Sequence, residues 1–452
     1  MADWIPTKLG SDGPRYLQIV GALEADIARG VLTPGTRLLP HRDMAERLHL
    51  SIGTVARAYD EAERRGLISG EVGRGTFVLG EVSRAVGRNK SMNLALNAPP
   101  LTGEAEIIAE ALTAITAEDV GNLLCYLPHQ GIERHRTIIA GWLDRHGMLA
   151  SADGLFITHG AQHAISIAMG LLAGPGDSVL AENLTYSGMR ALASHRGYRL
   201  RGVQMDQHGL IPEHLDRAFK ESGARVLYCM PTLQTPTATT IPPERRDQIV
   251  EIVRKYDAFL VEDDAYGFLC EKPPVPLSAR MPERSFYVVS FAKSLAPGLR
   301  VGAMLAPLPL RDRCINAIRS TSWMATPIMV EAVTRLIENG RLEEQVYRKR
   351  ETAQRRCALA AQILGERVSI PADAPAFHIW LQLPPGRTVM SFIAEAAMAN
   401  ITIAGPEPLQ SLDPMSNGVR LCLGALESDA DAEVVLRTVR NILSSAEAIS
   451  FV

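Results

Sequence analysis

No apolar run in this sequence reaches the roughly 18 residues that a membrane-spanning helix needs. The opening residues, Met1-Ala2-Asp3-Trp4, lack the basic-then-apolar pattern of a secretory signal. Cysteine is sparse. The six that occur (Cys125, Cys229, Cys270, Cys314, Cys357 and Cys422) are scattered, with no CxxC pair and no metal-ligand spacing. That excludes a disulfide scaffold or a zinc ribbon and leaves buried free thiols in a reducing compartment. These three absences point to the cytoplasm, with no membrane partner and no metal. Excess charge is missing too: the net charge is −3, and the first 80 residues hold 10 Lys+Arg against 10 Asp+Glu. A generic nucleic-acid coat is thereby excluded, and any DNA binding has to come from a local cationic face. There is no internal repeat at 20–50 residues and no low-complexity tract.

The chain does have core-forming material. At 452 residues with 46% hydrophobic and 21% charged residues, it suggests two or three ordinary globular domains. Residues 1–79 hold a compact unit. Leu17, Val20, Leu23 and Ile27 recur at helical spacing before Gly30, and Pro34-Gly35 makes a turn. A short helix carries Met44, Ala45 and Leu48. Ser51 is an N-cap for a third helix with inner face Val55, Ala58, Tyr59 and Ala62, ended by Gly66. Leu67-Ile68 and Thr76-Phe77-Val78 flank a glycine-rich stretch, the pattern of a two-stranded wing. Residues 80–91 are small, polar and linker-like, and reach at most ~40 Å extended. From 92 to 452, helical stretches alternate with short apolar strands, among them Ser178–Ala181, Arg225–Cys229, Phe259–Glu262 and Phe286–Ser290. Such alternation predicts an α/β body on a mainly parallel sheet, with a large part at about 135–320 and a smaller α+β part at about 330–452.

A capped helix after a tight turn, followed by a glycine-flanked arginine, suits a winged helix-turn-helix. The third helix would enter the major groove and the wing arginine the minor groove of double-stranded DNA. Arg42, Ser51, Thr54, Arg57 and Arg74 are the candidate contacts, with Arg37 and Lys8 placed for phosphates. Periodicity alone equally allows a helical bundle that meets other proteins.

The chemical signal of the second part is Ser290-Phe291-Ala292-Lys293-Ser294-Leu295-Ala296-Pro297-Gly298-Leu299-Arg300. A lysine follows an apolar strand, with a hydroxyl three residues before it and an arginine seven after. Pyridoxal 5'-phosphate (PLP) needs a lysine amine for a Schiff base and cationic or hydroxyl donors for its phosphate. Val261-Glu262-Asp263-Asp264-Ala265-Tyr266 puts carboxylates at a strand's C-terminal end, where one can keep the pyridine nitrogen protonated. Thr158-His159-Gly160-Ala161-Gln162 opens a helix whose free N–H groups suit a phosphate dianion. Tyr186 offers a flat surface for the ring. Taken singly, Asp264 reads as a helix cap, Gly160 as an ordinary turn and Tyr186 as core.

Residues 15–78 resemble GntR-family winged-helix domains, in Gly30-Val31-Leu32-Thr33-Pro34-Gly35-Thr36-Arg37-Leu38, Arg42-Asp43-Met44-Ala45, Ser51-Ile52-Gly53-Thr54-Val55 and Gly73-Arg74-Gly75-Thr76-Phe77-Val78. Ile52 stands where many relatives have arginine. Residues 92–445 resemble fold type I aminotransferases. That resemblance implies Lys293 as the Schiff-base lysine, Asp263 as partner of the pyridine nitrogen and Tyr266 on the ring's 3′-oxygen. It implies Ser290, Arg300, Gly160, Ala161 and Gln162 around the phosphate, with Tyr186 stacked on the ring. Tyr126 would reach the phosphate from a neighbouring subunit, and Arg420 would pair with a substrate or effector carboxylate. Two departures stand out. Thr235-Pro236-Thr237-Ala238 replaces Asn-Pro-Thr-Gly, so Thr235 occupies the place of the asparagine on the 3′-oxygen, and Ala292 replaces a hydroxyl beside the lysine. The two halves together resemble the MocR regulators. This implies a head-to-tail homodimer that binds an operator and responds to PLP, another B6 vitamer or an amino compound. A working aminotransferase with a regulatory DNA-binding domain, and a protein in which PLP is only structural, are the alternatives.

Overall fold

The computed structural model describes residues 4–6, 14–33, 35–64, 67–71, 75–78, 92–118, 120–370, 374–410 and 414–449. Contacts divide the chain into two units, Met1–Ser91 and Met92–Val452.

The first unit has helices α1 (Arg15–Ala28), α2 (His41–Leu48) and α3 (Ile52–Arg64) and a hairpin of β1 (Ile68–Glu71) with β2 (Gly75–Val78). The predicted inner face of α3 is buried at Val55, Ala58, Tyr59 and Ala62. On α1, Val20 and Leu23 are buried as the periodicity predicts, but Ile19 goes deeper than the half-buried Leu17. His49 closes α2 in the left-handed region at φ 53°, and Ser51 Oγ accepts the Thr54 N–H at 3.2 Å to start α3. The hairpin is wider than the two strands read from sequence. The N–H of Leu38 donates to Thr76 O and that of Val78 to Thr36 O, so the segment after Gly35 lies along β2 as a third edge. Gly66, Pro34, Lys8 and the wing tip with Arg74 lie outside the described residues.

The second unit is built on seven strands: β4 (Leu155–Thr158), β5 (Ser178–Glu182), β6 (Arg199–Val203), β7 (Val226–Cys229), β8 (Phe259–Asp263), β9 (Ser285–Ser290) and β10 (Gly302–Leu305). A short strand β3 (Met92–Asn93) precedes them. The order is β4–β10–β9–β8–β7–β5–β6, parallel except for β10, which runs against both neighbours. Alternate residues serve opposite faces. Val179, Ala181, Tyr228 and Val261 enter one core, while Leu180, Leu227 and Leu260 enter the other. With both faces covered, β5, β7, β8 and β9 read as short apolar runs, which is why these four were legible from sequence, whereas the edge strand β6 carries the exposed Arg199 and Arg201.

A further core gathers Leu94, Ile379, Leu381, Phe392, Val419 and Leu436 around a small antiparallel sheet. This sheet joins β11 (Val368–Ser369), β12 (His378–Gln382) and β14 (Gly418–Cys422), while β13 (Ile401–Thr402) pairs in parallel with β3. One long helix, Arg341–Leu364, serves both cores. Leu342, Val346 and Ala353 pack into the large one, and Cys357, Ala360 and Ile363 into the small one. Leu94, fully buried, fastens the 92–100 segment to the small core. Leu94→Ala is expected to cost about 2–5 kcal/mol of stability in the second unit. A lower urea midpoint for that unit, with the first unit's transition unmoved, is the measurement that checks it.

Candidate functional site

The C-terminal ends of the parallel strands converge on one place, and the functional side chains come from their last residues and the loops beyond. Asp263 ends β8, only 3% exposed. Its Oδ2 accepts the Tyr228 hydroxyl from the neighbouring strand at 2.8 Å, while Oδ1 is buried without a partner. Burial pushes this carboxyl up to about 7, opposed by the Tyr228 hydrogen bond and the nearby Lys293 charge. The adjacent acids do other work. Glu262 accepts the N–H groups of Leu277 and Ser278, and Asp264 takes the Tyr287 hydroxyl and the Gly267 N–H.

Lys293 sits in the short helix Phe291–Ser294 that follows β9. Its Nζ donates to the carbonyl of Asn97 and lies 5.8 Å from the Tyr266 ring centroid. Burial brings the amine down to about 8, so a substantial neutral fraction exists near physiological pH. Asn97 Nδ2 donates to the Tyr266 hydroxyl at 2.8 Å and contacts His378 Nδ1 at 3.1 Å. Burial holds His378 down to about 3, so the ring is neutral; Nε2–H donates to Gln234 O and Nδ1 accepts from Asn97.

Beside these groups lies a glycine-lined cup suited to an anion. Gly160, at φ +76°, precedes the helix α4 (Ala161–Leu172), whose first N–H groups have no intrahelical acceptor. The Arg300 guanidinium donates to His159 O at 3.1 Å and lies against Gly160, where a Cβ would meet its Nη2 at 2.9 Å. Ser290 Oγ accepts the Ala292 N–H at 3.2 Å and keeps its own proton to donate. Gln162 Nε2 donates to Gly188 O, and the Tyr186 ring lies over Gly188, where a Cβ would be 2.3 Å from it. Arg420, on β14, donates to Ala95 O, and its Nε is buried without a partner. Thr235 is buried beside the Tyr266 hydroxyl, with which its own hydroxyl interacts.

The charges of Asp263, Arg300 and Arg420 act on the Tyr186 hydroxyl, and those of Asp263 and Arg420 act also on Tyr266 and Lys293, so these side chains stand close together. Tyr126 is apart from them, 84% exposed and tilted against Trp323 at 5.7 Å. Asn97, Tyr228 and His378 were missed from sequence. For Tyr228 a phenol inside an otherwise aliphatic strand was the available signal. The set fits PLP: an unpartnered carboxylate oxygen for a ring N–H, a half-buried amine, and an anion cup whose glycines admit a guanidinium.

In the first unit, Arg42 and Arg57 are exposed on α2 and α3. Ser51 and Thr54 share a 2.8 Å hydroxyl contact at the start of α3, beside Ile52, which is 52% exposed. Arg37 lies over Gly75, where a Cβ would meet its Nε at 2.7 Å. This is a local cationic and hydroxylic face of the size one helix presents to a groove.

Two outcomes test the site. A Cβ at Gly302 would fall 2.7 Å from the backbone of Gly160, which cannot yield as a side chain can. Gly302→Ala is therefore expected to cost about 1–3 kcal/mol by overpacking and to abolish cofactor uptake, read by thermal melting and visible absorbance. Because burial lowers the amine of Lys293 to about 8, the rate of PLP uptake by apoprotein should climb with pH up to about 8 and level off above it. A stopped-flow pH series that is flat from 6 to 9 would contradict the assignment.

The family model for aminotransferase class I and II matches residues 89–439, and that for bacterial regulatory proteins of the gntR family matches 15–78. The uncharacterized HTH-type transcriptional regulator YdeF of Bacillus subtilis is 28% identical, over 89% of this chain and 88% of its own. The HTH-type pyridoxine biosynthesis transcriptional regulator PdxR of Corynebacterium glutamicum is 25% identical, over 80% of this chain and 82% of its own. Among solved structures, Pyrococcus horikoshii kynurenine aminotransferase superposes with a TM-score of 0.71 at 25% identity, covering 81% of this chain and 94% of that one. The chain belongs to the aminotransferase class I and II family and carries a GntR-type helix-turn-helix at its N-terminal end, the MocR-type architecture.

Proposed function

We propose that this protein is a PLP-dependent, DNA-binding transcription regulator whose aminotransferase-like body senses PLP or a small amino compound. One observation carries the reading: a single chain joins a capped, arginine-flanked DNA-type helix to a complete lysine, aspartate, tyrosine and arginine set. PLP, when bound, supplies an aldehyde that reacts with amines and a ring that withdraws electrons. Lys293 provides the amine, Asp263 meets the pyridine nitrogen and Tyr266 with Thr235 faces the 3′-oxygen. Ser290, Arg300 and the Gly160–Ala161–Gln162 turn hold the phosphate, while Tyr186 covers the ring. Tyr228 keeps Asp263 oriented. Arg420 receives the effector's carboxylate.

Tyr126, exposed on an isolated chain, suits a homodimer in which it completes the neighbouring subunit's phosphate site. Among the described residues no helix is long and apolar enough to cross a membrane, in keeping with a cytoplasmic regulator on operator DNA. Response to an effector requires that it bind two conformations with different affinity; binding alone shifts nothing. The second reading, a working aminotransferase, is favoured by the lowered amine of Lys293 with Arg420 nearby. Thr235 opposes it, since its shorter side chain replaces an amide donor to the ring oxygen.

Gel shifts at several salt concentrations on the DNA flanking the protein's own gene test the proposal. Arg42→Ala and Arg57→Ala are each expected to weaken binding about tenfold, and Lys293→Ala to retain binding but lose the response to PLP and amines. Unchanged affinity in both arginine variants would refute the contact face, and an intact response in Lys293→Ala would refute sensing through this lysine.

A further inference from the structure

Three segments remote from one another in sequence meet at His378, the first residue of β12 and fully buried. Its Nε2 lies 2.9 Å from Gln234 O, and its Nδ1 lies 3.1 Å from Asn97 Nδ2. The same Asn97 nitrogen is 2.8 Å from the hydroxyl of Tyr266, the phenol assigned above to the ring's 3′-oxygen.

The polarity of this chain of hydrogen bonds is fixed from one end. A carbonyl oxygen only accepts, so His378 has to carry its proton on Nε2. Burial keeps the imidazole neutral, and the charges of Arg420 and Lys293 act in the same direction, so Nδ1 is bare and accepts. Asn97 must then turn the NH₂ of its amide toward the imidazole, and the second hydrogen of that NH₂ goes to Tyr266. Gln234, where the chain begins, is itself held. Its Nε2 donates to Leu184 O at 2.5 Å, and its Oε1 accepts from the N–H and the hydroxyl of Thr237 at 3.0 and 2.8 Å.

The consequence falls on Tyr266, which is 3% exposed. Its oxygen accepts from Asn97, and the Thr235 hydroxyl, which interacts with it too, can rotate to donate as well. A phenol that accepts from its neighbours has its own proton left to give, and accepting polarises the O–H bond. Thr235 stands in the place of an asparagine whose amide would donate to the ring oxygen directly. An amide donor is present after all, but it enters from residue 97 and acts through the phenol.

We infer that His378 is a positioning residue for the cofactor: by holding the Asn97 amide one way round, it makes the Tyr266 hydroxyl the donor to the 3′-oxygen and so replaces the amide that position 235 lacks. This deepens the cofactor-sensing reading above and rests on it.

A pH titration of the visible absorbance of the PLP-loaded full chain tests this. A donor on the ring oxygen draws off negative charge that would otherwise help to hold a proton on the Lys293 nitrogen, so losing the donor raises the midpoint. His378→Phe keeps a ring but no ring nitrogen, and is expected to raise it by about one unit, a tenfold change in proton affinity. Tyr266→Phe should raise it at least as far, and the double variant no further, because both act through one hydroxyl. His378→Gln keeps one acceptor and one donor and should hold the wild-type midpoint. Asp263, Arg420 and Cys422 also act on Lys293, and they are the same in every variant. A purely structural histidine would lower the melting temperature and leave the midpoint where it was. That result overturns the inference, as does a His378→Phe shift that adds in full to that of Tyr266→Phe, or a His378→Gln midpoint displaced as far as that of His378→Phe. If His378→Phe does not fold, Asn97→Ala takes its place, removing the amide and keeping the backbone carbonyl; the same rise is expected, and an unchanged midpoint overturns it. PLP uptake with a midpoint indifferent to these changes sinks this inference alone, whereas no uptake by wild type also removes the sensing reading.

Discussion

A lysine amine held out of water is the constraint on which the second unit depends. An ammonium in that position loses hydration, and the carbonyl of Asn97 with the distant Asp263 repays only part of it, so the amine drops to about 8. To keep it there the fold needs a strand end, a short helix and a lid of backbone from a remote segment. The parallel sheet supplies the first two. The segment from Leu94 to Asn97 supplies the third, anchored by burial in a different core. Asp263 feels the same desolvation with the opposite sign, moving up to about 7. Burial thus narrows the gap between an acid and a base that in water differ by more than six units, roughly.

Around that pair the structure is organised by what small residues permit. Gly160, Gly188, Gly302 and Gly418 lie where a single methyl group would strike Arg300, Tyr186, the Gly160 backbone or Trp380. These close approaches bring a guanidinium, a phenol and an indole against backbone. Only Gly160 among the four has a positive φ, so space rather than backbone conformation explains the others.

Much of this was readable from the residues in order, and the reason is local. Strands covered on both faces read as apolar runs; Asp263 ends one, Tyr266 and Lys293 follow within three positions, and Arg300 lies in the loop that leads to the next strand. The inner face of α3 was likewise carried by a period of 3.6. What stayed hidden depends on meetings across long stretches of chain. Asn97 reaches Tyr266 over 169 residues and His378 over 281, and Tyr228 meets Asp263 over 35. No spacing rule encodes such pairs. The third edge of the wing hairpin was hidden for a similar reason, since Thr36 and Leu38 bond to residues near 76–78 through backbone atoms. In α1 the error was rotational: Ile19 and Leu17 both suit an apolar stripe, and tertiary packing chose Ile19.

The parallel pairing of β3 with β13 has a mechanical consequence. Residue 92 is where the body takes hold of the polypeptide arriving from the DNA-reading unit, and it takes hold through the small core. Five residues later, at Asn97, the same stretch reaches the amine of Lys293. A displacement of β3 would therefore disturb the small core and, through Asn97, the amine of Lys293.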